Sequence, residues 1–251
     1  MAEAGRNLYD DGEALALYDQ YVLATRGYDP GSQDWERQHK SNSASWAGHC
    51  QAWAAASILS REPPAGGVNR AGIHFGQDAL EGLVTSMYEV PEVAGFWGQR
   101  YDGPQSGQSA YDDLNPAWMD FLLRYYVTDH GSSFIMDTDP GAPVWNFPVA
   151  GYEQQKTQNA DGSVRVKTDV WFRSPSAGVS GYDANSFFKK TYEYDLWNTA
   201  DGKSSTGRWV SADHPDFAWA PGKGQASDGH GNLRNPRLDP KIVEEILGYP
   251  P

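Results

Sequence analysis

The sequence predicts an α+β fold, with a mainly helical N-terminal half followed by a mainly antiparallel β-sheet. Two observations predict it. Apolar residues recur at helical spacing through the first half, whereas beyond His130 two-residue alternation and Asp-Gly turns take over. A third agrees: ten Trp, fourteen Tyr and nine Phe, with 27 Gly and 16 Pro, describe a loop-rich chain whose core uses large flat side chains. With 251 residues, 39% of them hydrophobic, the chain can bury a substantial core as one domain over 1–251. Its parts are a helical segment (1–128), a sheet segment (129–220) and a C-terminal loop with a short helix (221–251).

The opening stretch "NLYDDGEALALYDQYVLATRGYD" places Leu8, Leu15, Leu17, Tyr18 and Tyr21 near helical spacing and ends at Gly27. Cys50 to Leu59 is rich in Ala, contains no breaker and stops before Glu62-Pro63-Pro64, so Cys50 sits at a helix start. "FGQDALEGLVTSMYEVPEV" reads as a helix interrupted at Pro91, and 95–111 as a loop. "PAWMDFLLRYYVT" is a helix from Pro116 to Thr128, with Trp118, Phe121, Leu122 and Tyr125 apolar. "SSFIMDTD" and "APVWNFPVAGYEQQ" flank the turn Pro140-Gly141, and "VRVKTDVWF" and "KKTYEYDLW" follow as strands. In the last of these Tyr192, Tyr194 and Leu196 alternate with Glu193 and Asp195. Asn159-Ala160-Asp161-Gly162 and Thr199-Ala200-Asp201-Gly202 are hairpin turns, the second leading into "GRWV". After His214-Pro215-Asp216-Phe217 the reading is loop, closed by the helix "DPKIVEEIL".

A net charge of −13 and a pI near 4.8 exclude nucleic acid and anionic membrane as partners, because both need clustered Lys and Arg. No apolar run reaches the roughly 20 residues of a membrane span. The start "MAEAGRNLYD" lacks the charged and apolar regions of a signal peptide, so the chain as given reads as soluble. A single cysteine excludes an intrachain disulfide. A structural zinc site is excluded as well, there being no second Cys and no His-x-His spacing. Asp137-Thr138-Asp139-Pro140-Gly141 reads as a turn rather than a calcium loop, since it contains Pro and lacks a later Glu. No Gly-rich phosphate loop is present, and no cofactor is expected.

The chemistry centres on Cys50, in "SWAGHCQAWAAAS". A thiol attacks carbonyl carbon as thiolate, and a helix N-terminus favours that form through the partial positive charge of its backbone N–H groups. The same groups can receive an oxyanion. The competing reading is a small apolar residue packed among Ala and Trp. A base must come from the six histidines. His49 adjoins Cys50, and neighbouring helical side chains diverge by about 100°. His39 and His74 have polar surroundings and no recognisable partner. His130 precedes the strand bearing Asp137, which could orient an imidazole, and Asn146 follows on the next strand. His214 stands between aromatic residues. Nucleophile at a helix start, then His, then Asp or Asn on strands, is the chain order of papain-like thiol enzymes.

Two separated motifs coincide with this order. "SWAGHCQAWAAASIL" resembles the active-site segment of the transglutaminases first known as oomycete elicitors, which have bacterial relatives. Val144-Trp145-Asn146-Phe147-Pro148-Val149 resembles that family's Val-Trp-Asn-x-Pro-Val signature, and Phe134-Ile135-Met136-Asp137 its aspartate-bearing strand. The likeness runs from about Trp35 to Tyr152, with weaker echoes between Trp209 and Trp219. The resemblance implies a papain-like cysteine transferase core, with Cys50 as nucleophile and Asp137 as orienting acid. It also implies that Trp145, Asn146 and Pro148 serve activity. Trp46 and Trp145 would shield a thioester from water.

The implied reaction is transfer of a glutamine acyl group through a Cys50 thioester to a lysine or other amine, or deamidation. Partners would be a protein or peptide glutamine donor and an amine acceptor, met by a monomer; the resemblance suggests secretion. Phe147 departs from the family's usual Gln. Trp118-Met119-Asp120 stands where the family carries a His, which leaves His130 as base, or His214 in its place, or a member without turnover that acts as a binding module. A papain-like protease or amidase would use the same thioester chemistry.

Overall fold

The computed structural model describes residues 11–39, 49–100, 113–141, 144–174, 187–198, 205–222 and 233–248. It is α+β, and the chain divides into two compact units. The first comprises 1–92, 175–183 and 222–251; the second comprises 93–174 and 184–221.

The first unit is helical. Helix α1 (Ala14–Arg26) begins later than the sequence pattern suggests, its predicted first residues lying outside the described ones, and ends at Gly27. There φ is +79° and the amide bonds back to Leu23, a C-cap that glycine makes without steric cost. Next come α2 (Ser32–His39), α3 (Cys50–Leu59) and α4 (Gln77–Ser86). Between the last two, β1 (Val68–Arg70) and β2 (Ile73–Phe75) form a short hairpin that the sequence pattern does not reveal. Helix α6 (Pro240–Leu247) carries its own punctuation: Asp239 accepts from the Lys241 amide, Pro240 opens the helix, and Gly248 closes it in the left-handed region. Leu15, Tyr18 and Val22 of α1 bury their side chains, as do Leu80 and Leu83 of α4 and Val243 and Ile246 of α6. The buried Tyr18 hydroxyl accepts from the Asp239 amide at 2.8 Å, tying α1 to the start of α6.

The second unit holds a seven-stranded sheet in the order β3-β9-β4-β5-β6-β7-β8, antiparallel at every step. Its strands are β3 (Val93–Gly98), β4 (Ile135–Met136), β5 (Phe147–Gln158), β6 (Val164–Arg173), β7 (Phe187–Asn198), β8 (Ser205–Trp209) and β9 (Phe217–Pro221). Helix α5 (Pro116–Leu122), capped by the Asn115 side chain on the Ala117 amide, continues as a π-helical segment from Leu123 to Asp129. The pattern predicted one α-helix to Thr128. A period-3.6 reading cannot anticipate the switch to i→i+5 bonding. In the sequence this helix falls in the helical segment 1–128, but it belongs to the sheet unit.

The core of that unit lies on one sheet face. Val166, Val170 and Phe172 of β6 and Tyr192 and Tyr194 of β7 meet Met119, Leu122 and Leu123 there. The alternation that marked β7 in the sequence is what aims Tyr192 and Tyr194 inward. Asp195, on the other parity, is held by Arg165 and Asn159, and the guanidinium keeps its carboxyl below the usual range.

Two stretches read as loop are strands. β3 spans 93–98, taking in the end of the stretch that reads as helix and the start of the loop reading at Gly95, and β9 begins at Phe217, three residues after His214. Neither alternates. β9 is buried on both faces, so Phe217, Ala218, Trp219 and Ala220 give no polar positions, and β3 carries Gly95 at a bulge against β9. Conversely, only two residues of "SSFIMDTD" enter the ladder. The turn Asn159–Gly162 is present, with φ +87° at Gly162, whereas the turn at 199–202 lies outside the described residues.

Gly98 tests the tightness of this sheet. Its φ is +84°, and a Cβ there would meet the Asp216 carbonyl at 2.3 Å and the Leu114 amide at 2.8 Å, two groups that bond to each other. Gly98→Ala is expected to lower unfolding stability by more than about 1 kcal/mol. Gly162→Ala, equally left-handed but in open space, should cost less. Urea denaturation of both variants checks this; equal losses would show that the contact is unimportant.

Candidate active site

Cys50 occupies the first position of α3 and is partly exposed. The helix forms here because five of its ten residues are Ala or Leu, and Ala52, Ala54, Ala55 and Ala56 turn inward. Helix α3 packs on α4. His49, at the N-cap, is buried and directs Nδ1 to the Glu89 carboxylate. His39 stacks on Trp35 at 4.0 Å with Nδ1 facing the Trp35 carbonyl, and His74 meets Asn69 in the β1–β2 hairpin; both are exposed. Trp46 lies outside the described residues.

The other predicted residues belong to the second unit. Asp137 follows β4 directly and is fully buried. Its Oδ2 accepts from the Trp145 amide at 3.3 Å, while Oδ1 has no hydrogen-bond partner among the described residues. Burial pushes its carboxyl up to about 8, assisted by the negative charges of Asp216 and Asp139 and opposed by the Trp145 amide. The segment after it is clamped from β7. The Tyr192 hydroxyl donates to the Thr138 carbonyl at 2.9 Å, and Lys190 Nζ reaches the same oxygen at 3.1 Å and Asp213 at 3.0 Å.

Asn146 is buried and accepts from Trp219 Nε1 at 2.8 Å. Pro148 is also buried, opposite Ile135 of β4, while Trp145 is half-exposed and stacks on Phe147 at 6.0 Å. Phe147 in turn meets Phe188 edge-on at 4.8 Å. The signature peptide is thus divided between a fixed amide, a buried proline and a more accessible indole.

The two candidate bases differ. His130 follows the π-helical segment, exposed and packed at a tilt of 38° against the Tyr125 ring, with Nδ1 2.6 Å from the Tyr125 carbonyl. A carbonyl only accepts, so Nδ1 donates and the lone pair of the neutral ring lies on Nε2, which has no hydrogen-bond partner among the described residues. It makes no hydrogen bond to Asp137, the orienting oxygen being that of Tyr125. His214 stacks on Trp209, with Nε2 2.9 Å from Asp113 and Nδ1 3.1 Å from the Ala212 carbonyl. Both its ring nitrogens face oxygen acceptors, which leaves neither directed elsewhere. At the position where the resemblance calls for a His, Asp120 accepts from Gln154 and from Tyr194, whose hydroxyl burial pushes far up; Met119 is core and Trp118 half-exposed.

The partnerships of Asp113 with His214, Glu89 with His49 and Trp219 with Asn146 were not legible in the sequence, because they join residues 40 to 101 positions apart. No motif spacing marks such pairs. Among the described residues no group of three or more His, Cys, Asp and Glu could hold a metal ion, and no helix is long and apolar enough to cross a membrane.

The transglutaminase elicitor family model matches residues 36–175, more than half of the chain, and the protein belongs to that family. The GP42 transglutaminase from Phytophthora sojae shares the fold, with a TM-score of 0.71 and 22% identity over 96% of this chain and 83% of that one. No curated protein matches the chain.

The buried acid has a measurable consequence. Asp137 ionises near 3.8 when unfolded and near 8 when folded, so between these values the folded state holds the extra proton. Its contribution to stability is complete below the lower value and is lost as pH rises through the upper one. Asp137→Asn is expected to flatten the decline of stability between about pH 4 and 8, followed as the urea midpoint against pH. An unchanged slope would assign the decline to other groups.

Proposed function

We propose that the protein is a protein-glutamine γ-glutamyltransferase. The observation that carries this reading is the position of its only cysteine, first residue of α3, within a segment matched by the transglutaminase elicitor family. Cys50 as thiolate attacks the glutamine carboxamide carbon. The C–N bond of the tetrahedral intermediate breaks, ammonia leaves with a proton from the general acid, and a thioester remains. A lysine amine then attacks the thioester, giving up a proton to the base, and the isopeptide forms as Cys50 is released. Water in place of the amine gives deamidation.

His130 is the base and acid of this scheme. The Tyr125 carbonyl sets its tautomer, and its exposed Nε2 suits proton transfer better than either nitrogen of His214. Asp137 is the acid of this reading, and its Oδ1, without a hydrogen-bond partner among the described residues, offers a buried hydrogen-bonding position for a substrate amide. The family resemblance gives Trp145 and Trp46 the shielding of the thioester, since water exclusion is what separates transfer from hydrolysis. Asn146 and Pro148 hold the peptide that carries Trp145. The substrates are a glutamine-bearing protein or peptide and a primary amine, and the same family reading implies secretion.

Incubation with a glutamine peptide and a fluorescent primary amine tests this. Label incorporation is expected, lost to background in Cys50→Ala and reduced about 10²–10⁴-fold in His130→Gln. Peptide cleavage without label would instead identify a protease or amidase. Binding of peptide with no turnover would identify a non-catalytic recognition module.

A further inference from the structure

A buried ionic cluster in the first unit has no part in the scheme above, yet it touches the residue beside Cys50. The His49 and Glu89 side chains, 7% and 5% exposed, are joined through Nδ1 and Oε1. The other Glu89 oxygen lies 3.9 Å from Arg234 Nε, and Arg234 Nη2 is ion-paired with Glu36 of α2. Asn235 donates to Glu36 at 3.2 Å and to the Ser32 carbonyl at 3.0 Å.

Ion pairs this deeply buried add little net stability, because desolvation offsets most of the attraction, but removal of one partner leaves the other without its counterpart. The contact acts at the start of α3. Its N-cap is His49, whose side chain goes to Glu89 and makes no cap bond. The first turn is the part of a helix that frays, and Cys50 is its first residue. Glu89 follows α4, the helix on which α3 packs, so its grip on the ring ties the first turn of α3 to the body of the unit.

We infer that Glu89 is a positioning residue for Cys50, acting through the buried His49 ring to hold the first turn of α3 and the direction of the thiol. The inference rests on Cys50 being the nucleophile. Misplacement by an ångström is enough to cost about 10²-fold in rate.

Because Cys50 is the only cysteine, iodoacetamide alkylation reports on it alone. We would compare wild type, Glu89→Ala, Glu89→Gln and Leu83→Ala, the last a buried residue of α4 outside the cluster. Alkylation rate, kcat and KM for amine incorporation, and Tm would be measured for each. Glu89→Ala is expected to lower kcat about 10- to 100-fold and to change the alkylation rate, with KM little altered. Leu83→Ala should lower Tm while both rates stay at wild-type values. Should Glu89→Ala fail to fold, Glu89→Gln, which keeps the shape and an acceptor, is expected to show the same rate changes to a smaller degree. Wild-type kcat and alkylation in the Glu89 variants, with wild type itself active, would overturn the inference alone. A wild-type thiol that is no more reactive than an ordinary one and incorporates no amine would overturn the nucleophile reading, and the inference with it.

Discussion

The seven-stranded sheet is continuous only through Ile135 and Met136. These two residues bond to β9 on one side and β5 on the other, so a strand shorter than one helical turn joins β3 and β9 to the four-stranded meander of β5 to β8. So short a strand has little holding power of its own. What compensates is burial, with Phe134, Ile135 and Met136 all fully enclosed, and the Tyr192 and Lys190 clamp on the Thr138 carbonyl two residues on. Asp137 lies between the ladder and the clamp, which is why a carboxyl in so apolar a setting keeps one defined position. Trp145 and Asn146 inherit that position, one through its amide on Asp137 and the other through Trp219 of β9.

Polar groups inside each unit are few and almost all engaged, as the cost of burying them requires. The Asp120, Gln154, Thr168 and Tyr194 cluster closes on itself through five hydrogen bonds at 2.8–3.2 Å. Among the described residues Asp137 Oδ1 and Ser32 Oγ depart from that pattern, with neither a hydrogen bond nor an ion pair. A fully buried polar atom without a partner is costly.

The sequence makes the regular elements legible to different degrees, for reasons visible in particular residues. Helix α6 announces both ends, with Asp239-Pro240 and Gly248, and α3 is bounded by composition alone. β7 is readable from Tyr192 and Tyr194 because one of its faces meets core and the other does not. β9 is hidden for the opposite reason: enclosed on both faces, its "FAWA" has no period to read. Of the candidate site, Cys50 and Asp137 stand out in the sequence through two motifs. Their supports, Glu89, Lys190, Tyr192 and Trp219, stand tens of positions away, where only the fold brings them near, and local pattern carries no trace of that.

The π-helical segment ahead of His130 sets a constraint on how this region can vary. A π-type turn accommodates one residue more than an α-type turn, so the segment stores an insertion. Removing a single residue between Leu123 and Asp129 would let it wind down to ordinary α-helix with the residues after it close to their present phase, because an α-type turn spans the same angle with one residue fewer. Point substitutions at Arg124 or Thr128 leave the i→i+5 winding standing, whereas a one-residue deletion within the seven positions converts it. Length, more than identity, is what this stretch of chain has to preserve.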